Sequence, residues 1–284
     1  MDLTFSVSAK EAGRSLKVFL QRPDRLSTAL WRKVKWNGII ERNGQPVHPN
    51  DVLQAGDIIT CTWEETSPVF PADVTLDIVY EDEQFLAVNK PAGMLIHPTG
   101  RFTRETLVSA VAGYYRQKGI KAGIHPIYRL DRDTTGLVLI AKSAHVQHQL
   151  SQSHDCIYRE YLALAEGTWA RQKGILEMPI ARDESHACRF LVSEKGRPAI
   201  TEYEVLEQYE DFALIRFHLL TGRTHQIRVH CTHIGHPLLG DALYGGSTTL
   251  VEHQALHAWR ITFRHPVTGK KLALTAPLPA WANH

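Results

Sequence analysis

Apolar residues recur at helical spacing near the start of the chain and at strand spacing over most of the remainder. Leu16, Phe19 and Leu20, then Leu30 and Val34, fall three or four residues apart, which predicts two short helices with apolar inner faces between residues 14 and 42. "NGQPV" (43–47) predicts a turn, and "AGDIITCTW" (55–63) a turn running into a strand. Further on, "FLAVNK" (85–90), "GLVLIAK" (136–142), "YREYLALAEG" (158–167) and "FALIRFHLL" (212–220) predict strands, and "LHAWRITFRHPVTGKKLALTAPLP" (256–279) two strands around a glycine-containing turn. Helical spacing returns in "TRETLVSAVAGYYRQKG" (103–119), with Leu107, Val111 and Tyr114 on one face, and in "TGRTHQIRVHCTHIGHP" (221–237), stopped by Gly235 and Pro237. Ser143 is placed to cap a helix after the 136–142 strand. Strands dominate and the helices are interspersed irregularly, so the pattern predicts an α+β fold with a mixed or antiparallel sheet rather than a doubly wound one.

A chain of 284 residues, 43% of them hydrophobic, suffices for one large domain and a small one. The net charge is only +2, so any nucleic-acid surface must come from local clustering. Such a cluster lies between residues 14 and 42, where Arg14, Lys17, Arg22, Arg25, Arg32, Lys33, Lys35 and Arg42 stand against Asp24 and Glu41. It is either a solvated charged face or a phosphate-binding surface that gains affinity by releasing counterions. From Glu64 the sign flips, and an acidic stretch with two prolines predicts a linker at about 64–75, between domains at 1–63 and 76–284. Cys61, Cys156, Cys188 and Cys231 stand singly, which fits reduced thiols in a cytoplasmic protein better than a zinc ribbon or a disulfide scaffold. The chain start has no apolar secretory segment, and no apolar run approaches the ~20 residues needed to cross a bilayer.

The candidate chemistry is concentrated in two places. In "YRLDRDTTGLVLIAKS" (128–143), Arg129, Asp131, Arg132 and Asp133 precede an unbroken apolar run. The two aspartates share a face if the segment is extended, and spacing alone does not rank them. They fit a D-x-D metal site, a turn with exposed ion pairs contributing ~0–1 kcal/mol each, or a turn carrying one working carboxylate. In "RTHQIRVHCTHIGH" (223–236), Arg223, Arg228 and four histidines occur without an acid. Zinc would want a carboxylate to orient the imidazoles, so a cationic helix facing phosphates or a carboxylate is more economical. Arg228, between Ile227 and Val229, is the better inward candidate. Tyr158 and Tyr161, three apart, face opposite sides of a strand, where an aromatic is either ordinary packing or a platform for an unpaired base. "NKPAGMLIHP" (89–98) by itself indicates only a loop.

In their order along the chain, "VNKPAGMLIHP", "YRLDRDTTGLVLIAK", "REYLALAEG" and "TGRTHQIRVHCTHIGHPLLGDALYG" resemble the RluA-type family of pseudouridine synthases, from about Val79 to the terminal "APLP". The first 63 residues resemble, more loosely, the small alpha-L RNA-binding domain of ribosomal proteins, through "RSLKVFL", "LS", "NGQPV" and "GD". The resemblance implies a catalytic domain with a central mixed sheet that isomerises uridine to pseudouridine in RNA, without cofactor or metal. Asp131 maps to the catalytic aspartate and Tyr161 to the tyrosine of the following strand, with Arg228 as the basic partner of the aspartate. Arg129, with Arg223, is expected to help displace the target base. Arg14, Lys17, Arg32, Lys33 and Lys35 are the expected N-terminal RNA contacts. The implied partner is structured RNA, ribosomal rather than transfer RNA, with no membrane and no obligatory protein partner. An RNA-binding protein on the same fold without catalysis is the alternative. The chain departs from the family pattern at Tyr128, where histidine is usual, at Thr135, where serine is frequent, and at Arg159, in place of lysine.

Overall fold

The computed structural model describes residues 2–22, 24–65, 69–99, 104–152 and 157–282. Cys156, Thr103 at the start of one expected helix, and residues 66–68 of the expected linker lie outside them.

The first unit comprises β1 (Asp2–Ser6), α1 (Leu16–Leu20), α2 (Thr28–Asn37), β2 (Ile39–Arg42), β3 (Gln45–Pro46) and β4 (Ile58–Thr62). Its antiparallel sheet has the order β1-β4-β2-β3. Both helices start on serine caps, Ser15 accepting from the Val18 amide and Ser27 from the Leu30 amide. β2 and β3 are joined by Asn43 and Gly44, whose φ angles of 54° and 78° are what a two-residue hairpin demands. The apolar helical positions fill the core as the spacing predicts, with Leu16, Phe19, Leu20, Leu30 and Val34 all buried. The basic cluster is less free than its composition suggests. Arg25 is buried over the Phe19 ring, and both Arg25 and Arg22 pair with Glu11.

The second unit is built on a ten-stranded sheet. Its strands are β5 (Ile78–Glu81), β6 (Phe85–Lys90), β7 (His125–Pro126), β8 (Thr135–Ala141), β9 (Ile157–Glu166), β10 (Lys173–Glu177), β13 (Ile200–Gln208), β14 (Phe212–Leu219), β15 (Leu256–Arg264) and β16 (Lys271–Thr275). A hairpin of β11 (Ile180–Arg182) and β12 (Phe190–Val192) stands apart from it, and the helices are α3 (Leu107–Lys118), α4 (Ala144–Gln152) and α5 (Gln226–His233). The order β10-β13-β14-β9-β15-β8-β6-β5, with β16 on β15 and β7 on β8, is antiparallel except for β15 beside β8. The sheet is therefore mixed and the class α+β, as predicted.

The β8–β15 contact depends on Gly136. It has φ 103°, and a Cβ there would lie 2.3 Å from the Ala258 carbonyl oxygen, so no other residue permits that approach. The capping expectation holds, since Ser143 accepts the Val146 amide at 3.2 Å. Two helices are shorter than their periodicity. α3 starts after the Thr106 cap, whose hydroxyl accepts from Ser109. α5 starts only at Gln226, because His225 takes a left-handed conformation and Gln226 turns its side chain back to brace residues 221–223 as a loop. Arg223 therefore precedes the helix rather than riding on it.

On either side of residues 66–68, the described residues of the acidic stretch make packed contacts. Val69 packs on the main core, and the Ala72 amide bonds Ser109. Glu65, with its side chain 3% exposed, accepts hydrogen bonds from Trp63, Lys33 and the Ala144 amide and lies 3.5 Å from His125. It thus joins the first unit to the start of α4. Burial pushes its carboxyl upward, but His125, Trp63, Lys33 and Ala144 outweigh that and hold it at about 2. Because the folded value lies below the free one of 4.5, this contribution is complete above pH 4.5 and fades as pH falls toward 2. Glu65→Ala is expected to lower urea stability at neutral pH by roughly 3 kcal/mol, and the deficit should shrink as the melts are repeated in acid.

Candidate active site

The turn from Tyr128 to Thr134 enters β8 at the centre of the large sheet. Leu130 points into the core, which leaves Asp131 facing out, its side chain 24% exposed. Lys90, at the end of β6, clamps the turn from below. Its ammonium is buried and donates to the carbonyls of Pro91 at 2.8 Å, Met94 at 3.0 Å and Arg132 at 2.8 Å. Burial brings Lys90 down to about 8, with Asp133 and Asp131 opposing the fall. Asp133 turns aside and takes Arg132 as its partner, 3.0 Å away. The two aspartates therefore do not converge, and Asp131 is the one presented to the cleft.

α5 delivers the partner. Arg228 is 5% exposed and grips Asp241, itself 1% exposed, through two hydrogen bonds of 2.7 and 2.8 Å. Its remaining terminal nitrogen donates to Asp131 Oδ2 at 2.9 Å. Burial alone would ease the proton off this guanidinium, but Asp241 and then Asp131 outweigh it and keep the group charged. The Tyr244 ring lies 4.9 Å away.

β9 delivers Tyr161. It lies opposite Phe217 and Ala258 in register and is 4% exposed. Burial raises the pKa of its hydroxyl, the Asp131 charge adds to the rise and Arg159 opposes it, so the phenol is neutral at physiological pH. Tyr158 faces the other side of the sheet and stacks on His218, as a strand with this spacing requires.

Asp131 and Tyr161 line a cleft of about 790 Å³ whose mouth carries Arg129, Arg132, Arg159 and Arg223 around the single carboxylate of Asp131, and Arg228 lines a smaller pocket beside it that shares Asp131 and Tyr161. Arg129 is exposed, and Arg223 is anchored through Nε to the Pro198 carbonyl. Such a mouth attracts a polyanion, while the smaller adjoining pocket, with Tyr161, Leu219, Ile227 and Leu256 in its lining, suits a flat apolar ring. Tyr128 forms part of the wall. Its hydroxyl donates to the Leu137 carbonyl at 3.0 Å and the Arg159 guanidinium lies 5.5 Å from its ring centre.

The four histidines of the 223–236 segment diverge. His225 turns to Tyr244, His230 sits between Thr201 and the Met178 carbonyl, His236 stacks on Trp169, and His233 is exposed. Among the described residues no cluster of three or more acids, histidines or cysteines forms a metal cage. Arg14, Lys17, Arg32 and Lys35 are exposed on the first unit, whereas Lys33 is drawn into its bridge with Glu65 and is not a free contact.

Sequence reasoning passed over Asp241, Lys90 and Tyr244. The absence of an acid within residues 223–236 is real, but the acid that fixes Arg228 follows 13 residues after it. A buried aspartate between glycines in "LLGDALYGG" was the available signal. Gly240, at φ 75°, has no room for a Cβ beside the His253 carbonyl.

Residues 84–233 match the profile of a family described as RNA pseudouridylate synthase. The chain is 39% identical over 247 residues to YhcT of Bacillus subtilis (strain 168), an uncharacterized RNA pseudouridine synthase, with 85% of this chain and 82% of that protein covered. It is 37% identical to the ribosomal large subunit pseudouridine synthase D of Haemophilus ducreyi, covering 99% of this chain and 92% of that one. Among solved structures, the human RNA pseudouridylate synthase domain containing 1 superposes with a TM-score of 0.60 at 25% identity, over 72% of this chain and 84% of that one.

Arg228→Lys keeps the charge but cannot hold Asp241 with a fork and Asp131 with a third nitrogen. The rate of pseudouridine formation is expected to fall roughly 10²-fold or more, with unchanged RNA affinity in a filter-binding assay.

Proposed function

Since the chain belongs to the RNA pseudouridylate synthase family, we propose that Asp131 is the reacting carboxylate of this synthase and that its substrate is a uridine in structured ribosomal RNA. The observation that carries the assignment is the 2.9 Å contact between Asp131 Oδ2 and a buried arginine, at the floor of a cleft with a cationic mouth.

The reaction breaks the bond between uracil N1 and ribose C1′, turns the base, and joins C5 to C1′. A carboxylate serves this by covalent attack or by taking a proton on the way to a glycal. Both routes require an ionised oxygen free for the substrate. Arg228 holds Oδ2 and leaves Oδ1 open to the substrate. The target base must first leave its stack at a cost of a few kcal/mol. Arg129 at the cleft rim is the group we assign to the vacated space, with Arg223 beside it on the backbone. To Tyr161 we assign a flat wall for the displaced uracil and, through its hydroxyl, assistance to proton loss from C5.

Ribosomal RNA is supported by the relative from Haemophilus ducreyi, whose name specifies the large ribosomal subunit. The first 63 residues are assigned to RNA binding through Arg14, Lys17, Arg32 and Lys35, with Trp36 beside Lys35 as an exposed ring. A cytoplasmic setting accords with free thiols at Cys61, Cys188 and Cys231. Among the described residues no helix is long and apolar enough to cross a membrane. The non-catalytic alternative loses ground because Asp131, Tyr161 and Arg228 converge in one cleft.

Tritium release from RNA carrying 5-tritiated uridine tests the central assignment. Asp131→Asn should abolish release while retaining the fold by circular dichroism, and normal release by a folded variant would sink the proposal. Replacing Arg14, Lys17, Arg32 and Lys35 by glutamate should weaken binding. It should also reduce the slope of log affinity against log salt by about 1 for each phosphate that these side chains neutralise. An unchanged slope would mark the patch as a solvated surface only.

A further inference from the structure

Among the groups around Asp131, His225 has no task in the chemistry above, yet the fold places it under strain. It sits at φ 55° and ψ 23°, in the left-handed region. Residues with side chains enter that region at an energetic cost, and such strain collects at working sites. The backbone turn sends the imidazole inward. Its Nδ1 lies 2.9 Å from the Tyr244 hydroxyl and its Nε2 lies 3.8 Å from Asp131 Oδ2. The same hydroxyl accepts the Phe190 amide at 3.0 Å, so its own proton is available to His225 Nδ1. That hydrogen bond puts the ring's proton on Nε2, on the side of Asp131. The Phe190 ring meets the imidazole edge-on, with centroids 5.5 Å apart, and ties it to the β11–β12 hairpin.

We infer that His225 is a positioning residue for the reaction: as a neutral imidazole it donates Nε2–H to Asp131 Oδ2 when the target nucleotide fills the cleft, so that Arg228 and His225 together hold that oxygen and aim Oδ1 at the substrate. The inference rests on Asp131 being the reacting carboxylate. The present gap exceeds an N–H···O bond by about 1 Å, and hydrogen bonds at unliganded active sites tighten in the complex. The charged and titratable groups around the imidazole are Asp131 from the turn before β8, Arg223 from the loop before α5, Arg228 from α5, Asp241 and Tyr244 from the segment after it, and Cys188 and Arg189 just before β12, with the Arg189 guanidinium 5.6 Å from the Tyr244 ring centre. Burial lowers the proton affinity of the ring, Asp131 opposes this and Arg228 reinforces it, so His225 is neutral at physiological pH. A second proton on the ring would add positive charge beside Asp131 and make the carboxylate a poorer nucleophile and base.

The test measures single-turnover tritium release across about pH 5 to 8, using total RNA labelled with 5-tritiated uridine from cells lacking the gene. Wild type, His225→Asn and Tyr244→Phe are compared, with RNA affinity measured separately. Asparagine tolerates the left-handed backbone, and Tyr244→Phe removes only the hydroxyl. Both variants should lose roughly tenfold or more in rate with RNA affinity intact. The wild-type rate should fall on the acid side, below the ordinary imidazole range. That fall should be missing in His225→Asn and should move to higher pH in Tyr244→Phe, which lacks the donor that favours the neutral ring. A near-wild-type rate in either variant, or a reduced rate with the acid side unmoved, overturns the inference. Asp131→Asn run in parallel separates the two levels, because release by that variant overturns the assignment of Asp131, whereas the outcomes above overturn only the role of His225.

Discussion

The fork between Arg228 and Asp241 is the contact on which the site depends. Two hydrogen bonds to a nearly inaccessible carboxylate fix the guanidinium plane. Only with that plane fixed does the third nitrogen meet Asp131 at 2.9 Å. A buried arginine facing one aspartate alone would be free to swing. Facing two from fixed directions, it becomes a rigid donor, and rigidity before the substrate arrives is what makes an electrostatic contact useful to a reaction. The desolvation cost of burying these charges is offset because each carboxylate meets the cation within hydrogen-bond range.

The scaffold serves that geometry from below. Lys90 draws three carbonyls together and so fixes the turn that carries Asp131. Gly136 lets β15 approach β8 at their only parallel pairing among the described strands, which brings Ala258 beside Tyr161. The apolar run after the turn has the task its composition suggests: Leu137 to Ala141 are all buried, so the turn that carries Asp131 is attached to a fully buried stretch of strand.

Much of this was legible in the chain. The apolar runs at 85–90, 136–142, 158–167 and 212–220 are strands, because burial of alternate or continuous apolar faces leaves a periodic trace. The opposite facing of Tyr158 and Tyr161 followed from strand geometry alone. The region from 168 to 208 was not anticipated. β13 alternates Thr201, Tyr203 and Val205 on the core side with Glu202 and Glu204 outside, and its register shifts between Val205 and Glu207. Periodicity overextended the helix at 221–237, because a left-handed His225 leaves no mark in an apolar pattern. Ranking Asp131 above Asp133 came from family resemblance, and in the structure Asp133 pairs with Arg132 at the surface while Asp131 meets the buried Arg228. Asp241 was hidden for a different reason. A salt bridge is a relation between distant residues, and neither partner announces the other.

That distance bears on how the protein comes into being. Asp131 and Arg228 are separated by 97 positions in the chain, and the sheet between them is assembled largely from non-local pairings, a topology that folds slowly. During synthesis from the N-terminus, the turn with Asp131 emerges well before the helix that restrains it and the aspartate that restrains the helix. A nascent chain can therefore complete its first unit while Asp131 still lacks its partner. The capacity for chemistry arrives with the last third of the molecule, as a property of the finished sheet.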